Sequence, residues 1–382
     1  MSTNLPAPPY SRKNPFPSKL LVNRKVTLEG SEKETRHYEF SLQGSGLHYE
    51  PGDSMGVLPK NNPKLVEEIL TALHFSGEEP VTTKEGQTFP LRQGLQEYFQ
   101  ITAPSKQFLE VIADRSASPL ELKDLMQPER KQDLEHYLWG LEVIDFLIDN
   151  PSIRFTVEEF VGTLRKMQPR LYSIASSLKA HPEEVHFLIA TVRYESHGRS
   201  REGVASTYLA DRLSENVPIP MFVHVAKGFR LPDPSTAAIM IGPGTGLAPF
   251  RAYLEERQAI GASGKNWLFF GEQRRKCDFF YREQLEELQK LGVLTGFDTA
   301  FSRDQGYKVY VQHRLLENSQ AVFAWLEEGA HFFVCGDAAR MAKDVDVALH
   351  QIVEREGGKT PEQAAEYVEN LRKEKRYKRD VY

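Results

Sequence analysis

Cysteine is scarce in this sequence: Cys277 and Cys335 are the only two among 382 residues. Two thiols are too few for a disulfide framework, or for a zinc or iron–sulfur site that needs four thiolates. The 11 histidines form no HExxH or HxxxH pair, the local spacing typical of a metal site on a helix. We therefore predict that the chain binds no metal.

Long hydrophobic runs are also missing. No stretch approaches the roughly 20 apolar residues that a membrane helix needs, and Met1 to Lys13 are polar and proline-rich, unlike a secretory signal. The net charge of -5 argues against a general nucleic-acid binder, for which a basic domain is expected. Walker A and GxSxG patterns are absent as well. These absences predict a soluble, cytoplasmic protein with no membrane and no nucleic acid as a partner.

Three short motifs remain as candidates for a functional site. In Arg170–Ser173, the guanidinium can bind a pyrophosphate through two hydrogen bonds, and the tyrosine ring and serine hydroxyl suit a flavin. Gly242–Gly246 follows the apolar run Ala237–Ile241 and precedes an amphipathic run, the order that places backbone N–H groups against phosphates. Cys335–Asp337 follows another apolar run. Together the motifs predict a flavin and a dinucleotide, and therefore redox chemistry.

The hydrophobic pattern also predicts the domains. Residues 1–18 are proline-rich and predict an extended arm. Alternating apolar and polar residues predict antiparallel strands from Lys19 to Leu28, Thr35 to Leu42 and Ser54 to Leu58. Further strands are predicted at Leu171 to Ala175, Val185 to Tyr194 and Met221 to Ala226. Helical spacing at about 60–165 interrupts them. From Ala237 onward strands and helices alternate, as in a parallel α/β sheet. We predict a β domain at 19–230 with a helical insertion, followed by an α/β domain at 231–382.

Several motifs in a fixed order resemble the ferredoxin-NADP reductase superfamily. They are Arg170–Ser173, Gly203–Ser206, the run that begins at Gly242, Ser302-Arg303, Lys308–Gln312, Cys335–Asp337 and Arg379–Tyr382. Within the superfamily the sequence is similar to the diflavin branch, and in that branch to the FAD/NADPH half of the sulfite reductase flavoprotein family, from about Lys19 to Tyr382. The resemblance implies an FAD-binding β-barrel domain and an NADPH-binding α/β domain. Longer members carry an FMN-binding flavodoxin domain before this region, so we expect FAD and no FMN in the sequence given.

The same resemblance implies which residues bind FAD. It assigns the pyrophosphate to Arg170, the flavin ring to Tyr172 and the neighbourhood of flavin N5 to the Ser173 hydroxyl, although a lone arginine on a strand is often only a surface residue. Tyr382 would stack on the flavin face that nicotinamide must occupy. The other implied FAD residues are Thr102, Leu171, Leu188, Ile189, Ala190, Tyr194, Gly203, Val204, Ala205 and Ser206. Ser206 is also a plausible N-cap for the run Thr207–Arg212, which would be a structural role.

A second group of residues suits the 2′-phosphate of NADPH. A guanidinium, an ammonium and two hydroxyls are what phosphate pockets use, and no acidic residue replaces them to favour a bare ribose hydroxyl. By themselves they could form an ordinary solvated strand end and turn. With the resemblance they favour NADPH over NADH, and the implied coenzyme residues are Gly244, Thr245, Ser302, Arg303, Lys308, Tyr310, Gln312 and Asp344. As an acid in a first helical turn, Asp344 also has a structural explanation.

Three further residues are implied to act at the reacting atoms. By resemblance Cys335 lies beside the nicotinamide, and with Ser173 and Asp380 it orients the transfer from nicotinamide C4 to flavin N5. The alternative reading makes Cys335 a small buried hydrophobic residue and Asp337 a helix cap. No residue is predicted to hold a metal.

The predicted function is an NADPH-dependent flavoprotein oxidoreductase that passes electrons to a separate acceptor protein. By resemblance the process is assimilatory sulfite reduction, with a sulfite reductase hemoprotein, a flavodoxin or a ferredoxin as the acceptor. Two alternatives stay open: a stand-alone ferredoxin- or flavodoxin-NADP reductase, and a non-catalytic docking subunit. The basic clusters Arg274–Lys276 and Arg372–Arg379 are read first as solvated surface and second as a landing surface for an acidic electron carrier.

Overall fold

The computed structural model describes residues 10–116, 119–214 and 217–382. Residues 1–9 of the predicted arm lie outside the described residues. The chain divides into two compact units. The first runs to Gly56 and includes Leu171–Thr191 and Ser214–Tyr382, and the second comprises Val57–Arg170 and Val192–Leu213. In the described part of the chain, every helix is too short or too polar to cross a membrane.

Strands and helices alternate irregularly in the first two thirds of the chain and regularly afterwards. The strands are β1 (Phe16–Lys25), β2 (Thr35–Ser41), β3 (Ser54–Val57), β4 (Pro80–Thr82), β5 (Thr88–Pro90), β6 (Phe99–Gln100), β7 (Arg165–Lys166), β8 (Arg170–Ser173), β9 (Glu184–Ala190), β10 (Arg193–Ser196), β11 (Arg199–Glu202), β12 (Ile219–His224), β13 (Ala238–Ile241), β14 (Asn266–Glu272), β15 (Gly296–Phe301), β16 (His331–Gly336) and β17 (Tyr377–Val381). The α-helices are α1 (Pro63–Leu73), α2 (Leu91–Gln93), α3 (Lys106–Arg115), α4 (Pro119–Leu125), α5 (Lys131–Tyr137), α6 (Val143–Asp149), α7 (Val157–Thr163), α8 (Val204–Thr207), α9 (Leu247–Ala259), α10 (Arg275–Asp278), α11 (Arg282–Lys290), α12 (Val311–Glu317), α13 (Ser319–Glu327), α14 (Met341–Gly357) and α15 (Pro361–Lys373).

An antiparallel sheet in the first unit forms the barrel. Its order is β8-β3-β12-β1-β2-β9. Ile174, directly after β8, forms an antiparallel bridge with Phe187 of β9, so the two edge strands meet and close the sheet. Closure removes the exposed edges that an open sheet would present. Inward-facing Tyr38, Phe40 and Phe187 fill the interior and are fully buried.

A parallel sheet makes up the C-terminal part of the first unit. Its order is β15-β14-β13-β16-β17, and every neighbouring pair is parallel. β13 and β14 are buried along their whole length, which is why they read as continuous apolar runs rather than alternating ones. In such sheets ligands bind at the carboxyl ends of the strands. The glycine-rich loop follows β13 at this edge.

The second unit is mainly helical. Its hydrophobic core is formed by buried faces of α1, α3 and α6, for example Ile69, Phe108 and Ile144. A two-stranded ribbon of β10 and β11 belongs to the same unit. Barrel, helical insertion and parallel sheet together confirm the predicted fold class, while the predicted boundary near residue 231 stays a prediction.

Two elements differ from the sequence-based prediction. β1 lies at Phe16–Lys25, about three residues before the predicted strand, with Pro17 at its start, where its missing N–H is tolerated. The predicted strand Val185–Tyr194 ends at Ala190, and Tyr194 belongs to the separate ribbon. His197 and Gly198 turn that ribbon, both with positive φ, as a tight hairpin requires.

Candidate active site

The glycine-rich loop between β13 and α9 passes close to β16. Gly244 has φ +58°, a left-handed conformation that glycine adopts readily. A Cβ atom on Gly246 would clash with the carbonyl oxygen of Cys335, so only glycine allows this approach. Pro243, Gly244 and Thr245 are half-buried, so this part of the loop stays accessible at the carboxyl edge of the sheet.

A cavity of about 500 Å³ lies beside this loop in the first unit. It is lined by seven of the eight residues that the sequence predicts for the coenzyme: Gly244, Ser302, Arg303, Lys308, Tyr310, Gln312 and Asp344. Gln312 donates from Nε2 to Asp344 Oδ2 at 3.1 Å. The Arg303, Lys308 and Tyr310 side chains are exposed, so a ligand in the cavity can reach them.

Three ion pairs at this cavity were not predicted from the sequence. Lys33 pairs with Glu272 at 2.7 Å, and Glu32 pairs with both Arg274 and Arg303. Hydrogen bonds from Arg303 and then Arg274 lower the pKa of the Glu32 carboxyl below its ordinary value. Because the partners are about 240 to 270 residues apart in sequence, only the fold brings them together.

One cluster is formed by Ser173, Cys335 and Asp380, and their role at the reacting atoms stays a prediction. The Ser173 hydroxyl donates to Asp380 Oδ2 at 2.9 Å, and Cys335 Sγ lies 4.0 Å from the same oxygen. The parallel register of β16 and β17 pairs Cys335 with Asp380. Burial, and secondarily the Asp380 charge, raise the pKa of the Cys335 thiol well above its ordinary value. The thiol therefore stays neutral near pH 7, and its roles as a nucleophile or thiolate ligand are disfavoured.

The C-terminal residue is held in place although its ring is exposed. Tyr382 donates from its backbone N–H to Gly336 O at 3.1 Å and accepts from Ala338 N–H at 3.1 Å. Its hydroxyl and that of Thr245 are 2.9 Å apart. Tyr382 is 64% exposed, so a planar ligand can reach its ring. Thr245, predicted to bind coenzyme, thus contacts the aromatic residue predicted to cover the flavin.

The other FAD residues of the first unit lie on or beside barrel strands. Tyr172 packs against Phe187, with ring centroids 6.1 Å apart. Leu171 and Ala190 are exposed, whereas Leu188 and Ile189 are buried within β9. Leu188 packs into the hydrophobic cluster that includes Phe250 and Leu254, and any contact of Leu188 and Ile189 with FAD stays a prediction.

The second unit holds the remaining predicted FAD residues, including Gly203–Ser206. A cavity of about 390 Å³ in this unit is lined by Thr102, Val204, Thr207 and Arg212, among others. Nε and Nη1 of Arg212 are buried without a hydrogen-bond partner in the described residues. Arg212 is one of the residues that line this cavity, and a guanidinium with two unused donors fits an anionic group such as a phosphate.

The N-cap role predicted for Ser206 is wrong. Gly203 is the N-cap of α8, so Ser206 lies inside the helix and does not begin one. Its hydroxyl donates to Gly203 O at 3.3 Å and accepts from Val192 N–H at 3.1 Å. A Cβ atom on Gly203 would crowd this hydroxyl. Ser206 therefore fixes the bend that leads into the helix.

Arg170 and Tyr194 also belong to the second unit. Arg170 donates from Nη1 to Gln168 O at 2.8 Å, which orients the side chain and leaves other guanidinium donors for a ligand. Tyr194 packs against Trp139, with ring centroids 5.6 Å apart. Trp139 is 65% exposed and is not among the residues predicted from the sequence to bind FAD. An exposed Trp beside Tyr194 fits a planar group such as adenine, and the signal available in the sequence was a tryptophan next to Gly140.

The structure also shows a histidine cluster that motif spacing did not indicate. Ligand atoms of His37, Glu39 and His186 lie within 4.8 Å of one another. However, Arg251 Nη1 lies 3.4 Å from His186 Nδ1. A guanidinium at that distance repels a cation, so the cluster is a poor candidate for a metal site.

Comparison with known proteins agrees with this geometry. Residues 8–208 match a family described as FAD binding domain, and residues 240–346 match one described as oxidoreductase NAD-binding domain. The first match covers more than half of the chain, and the second includes the glycine-rich loop and its cavity. The chain belongs to this FAD-binding family and is a flavoprotein oxidoreductase with FAD- and NAD(P)-binding domains.

Curated relatives are similar over nearly the whole chain. The sulfite reductase [NADPH] flavoprotein alpha-component of Bacillus subtilis is 47% identical over 375 residues, which are 98% of this chain and 62% of that protein. The proteins of the same description from Vibrio cholerae and Escherichia coli O9:H4 are each 45% identical, again over 98% of this chain and over 60% and 62% of theirs. The chain thus spans about 60% of the length of these relatives.

Proposed function

We propose that this chain oxidises NADPH with a bound FAD and passes the electrons to a separate protein in sulfite reduction, a sulfite reductase hemoprotein being the first acceptor to test. The observation that carries the proposal is the cavity beside the glycine-rich loop, which brings together Ser302, Arg303, Lys308 and Tyr310. NADH offers a neutral hydroxyl where NADPH offers a phosphate. Two cations and two hydroxyls at one place therefore support NADPH.

FAD, when bound, accepts two electrons as a hydride and releases them singly. The chain's own part is to bind and to orient. Arg303 and Lys308 are proposed to hold the 2′-phosphate, while the loop at Gly244 lets the backbone approach the pyrophosphate. Arg170 and the two free donors of Arg212 are proposed to neutralise the FAD phosphates.

Ser173, Cys335 and Asp380 are proposed to fix the nicotinamide. Asp380 accepts a hydrogen bond from the Ser173 hydroxyl, and this bond keeps the hydroxyl pointed in one direction. The neutral Cys335 thiol is proposed to form a small apolar surface that excludes water beside the ring. The Asp380 carboxylate is proposed to stabilise the positive charge that develops on the oxidised ring. A docking subunit without catalysis has no need of this cluster, which counts against that alternative.

The proposal includes two further points, one on Tyr382 and one on the location of the protein. The exposed ring of Tyr382 is proposed to cover the flavin until nicotinamide displaces it. A cytoplasmic location stays a prediction from the sequence.

Rapid mixing of the FAD-loaded chain with NADPH under anaerobic conditions tests the proposal. We expect fast flavin bleaching with NADPH and much slower bleaching with NADH. Lys308→Ala should weaken NADPH binding about tenfold, the equivalent of one charge-assisted hydrogen bond, and leave NADH unchanged. Lys343→Ala, which removes a lysine from α14 outside the cavity lining, is the matched control.

The acceptor is tested separately. Reduced protein is offered sulfite alone, then purified hemoprotein with sulfite, then a flavodoxin and a ferredoxin. Sulfide formation only with the hemoprotein supports the sulfite pathway. Transfer to flavodoxin or ferredoxin but not to hemoprotein would favour the stand-alone reductase instead, and absence of flavin bleaching by NADPH would contradict the enzyme itself.

A further inference from the structure

Two arginines at the wall of the coenzyme cavity share one carboxylate. Arg274 donates from Nη2 to Glu32 Oε1 at 2.9 Å, and Arg303 donates from Nη1 to Glu32 Oε2. Each oxygen of the carboxylate is thus used by a different guanidinium. Arg303 lines the cavity, and so does Lys33, the residue after Glu32. The bridge therefore lies at the edge of the space proposed for the 2′-phosphate.

The backbone keeps the two arginines next to each other. The Arg303 N–H donates to Gln273 O at 2.8 Å, one residue before Arg274. The Arg274 N–H in turn donates to Asp278 Oδ2 at 3.0 Å. Nη1 of Arg274 is buried and has no hydrogen-bond partner among the residues that the structure describes. Arg274 therefore has a donor left for an acceptor other than Glu32.

The balance of charges at this place favours binding of a phosphate to the basic side chains over their pairing with Glu32. Arg274, Arg303 and Lys308 bring three positive charges, and Glu32 supplies one negative charge. A phosphate monoester carries about -1.5 to -2 at pH 7 and has three acceptor oxygens. Guanidinium groups bind it through paired hydrogen bonds. The Glu32 side chain is about half exposed, and exposed ion pairs are weak, so a phosphate can displace it.

We propose that Arg274 is a specificity-determining residue that binds the 2′-phosphate together with Arg303, and that Glu32 occupies both guanidinium groups until the coenzyme displaces it. A coenzyme without the phosphate leaves Glu32 in place, because a ribose hydroxyl cannot neutralise two guanidinium groups. Glu32 thus competes with NADPH for the two guanidinium groups, but it does not compete with NADH. The inference rests on the proposed preference for NADPH and adds two residues to it.

Calorimetric binding of 2′,5′-ADP and 5′-AMP to the FAD-loaded chain tests the inference without turnover. Arg274→Ala should weaken 2′,5′-ADP binding about tenfold and leave 5′-AMP unchanged, since one charge-assisted contact is lost. Glu32→Gln should tighten 2′,5′-ADP binding about threefold or more, again without effect on 5′-AMP. The variant Arg274→Gln, which keeps a polar side chain, replaces Arg274→Ala if the latter fails to fold.

Two charge-matched controls separate a local effect from a change in net charge. Glu29→Gln removes a charge from the same loop, and Arg282→Ala removes one whose side chain pairs with Glu286 on α11. Both should bind 2′,5′-ADP like the wild type. Wild-type affinity in the Arg274 variants, or weaker or unchanged binding in Glu32→Gln, would overturn the inference. If the wild type binds both nucleotides equally, the proposed coenzyme preference fails instead.

Discussion

The Ser173 hydroxyl donates to a carboxylate that also lies beside a buried thiol, and this arrangement gives the first prediction. The double variant Ser173→Ala/Cys335→Ala should slow flavin reduction on the order of 100-fold. These groups position the reacting carbons, and a displacement of about 1 Å is enough to cause a rate loss of this size. The dissociation constant for NADP⁺ and the FAD content should stay the same. Stopped-flow bleaching and equilibrium titration measure the two effects.

The other buried cysteine serves as the control for this prediction. Cys277 is buried but lies outside the cluster, so Cys277→Ala should keep the wild-type reduction rate. If the double variant also reduces its flavin at the wild-type rate, Ser173 and Cys335 do not position the coenzyme. A loss of FAD would instead assign them to the fold.

Two buried histidines give a second prediction at this scale. Burial, with help from Arg251, lowers the pKa of His37 to about 2, and burial lowers that of His186 to about 4. In the unfolded chain both titrate near 6.5. The unfolded state therefore binds more protons as the pH falls below 6.5, and the free energy of unfolding decreases by about 1.4 kcal/mol per pH unit for each histidine. This loss continues to about pH 4 for His186 and further for His37.

Urea unfolding at pH 7.5 and 5.5 measures this effect. His37→Gln should reduce the difference between the two pH values by about 1 kcal/mol, because one proton-binding site of the unfolded chain is gone. His224→Gln changes an exposed histidine at the end of β12 and should leave the difference as it is. An identical pH dependence in the wild type and the His37 variant would contradict the assigned cause. His181, whose pKa is raised by its hydrogen bond to Glu255, acts in the opposite direction and remains in all three proteins.

At the scale of elements, the approach of the glycine-rich loop to β16 leads to a third prediction. In Gly246→Ala the new methyl group must move away from the Cys335 carbonyl, and the loop shifts with it. We expect a loss of about 1–3 kcal/mol in unfolding free energy, as for overpacked sites, and weaker NADP⁺ binding. Gly228→Ala, where a Cβ meets nothing within 4 Å, is the matched control. Equal stability of the two variants would show that the loop is not held against the strand.

Elements were predictable where local sequence determines them. The apolar run before Gly242 predicts a buried parallel strand, and β13 confirms it. β9 could not be delimited in this way, because its end depends on the hairpin at His197 and Gly198. The bend before α8 was misread because a serine within a first helical turn and a serine N-cap look alike in sequence.

At the scale of the whole molecule, short motifs predicted residues that line the cavity beside the glycine-rich loop, but not which charges surround it. Ser302, Arg303 and Lys308 are close in sequence, and the cavity gathers them. Glu32 comes from a loop of the barrel part and reaches Arg303 only through the tertiary fold. The hydrophobic periodicity of a sequence contains no information about such long-range pairs. The same limit applies to Thr245 and Tyr382, which are 137 residues apart.

The basic clusters on this acidic chain lead to the last prediction. Many of their side chains already have partners inside the fold. Arg274 pairs with Glu32, Arg275 donates to Thr299 Oγ1, Arg372 pairs with Asp346 and Glu369, Arg376 binds the carbonyls of Leu326 and Ala330, and Lys378 donates to Arg230 O. Arg274, Arg372 and Arg376 are paired with carboxylates, and such neutralised pairs contribute little to a field that guides a distant partner.

Electron transfer to a protein acceptor should therefore depend only weakly on salt. Raising the ionic strength from about 0.1 M to 1 M shortens the screening length from about 10 Å to about 3 Å, and we expect the second-order rate with purified hemoprotein to fall by less than about tenfold. Lys373→Gln/Lys375→Gln, which removes two exposed charges, should likewise change it little. Stopped-flow measurement under pseudo-first-order conditions gives the rate. A fall of about 100-fold or more with salt, reproduced at low salt by the double variant, would instead show that the C-terminal cluster guides the acceptor to this chain.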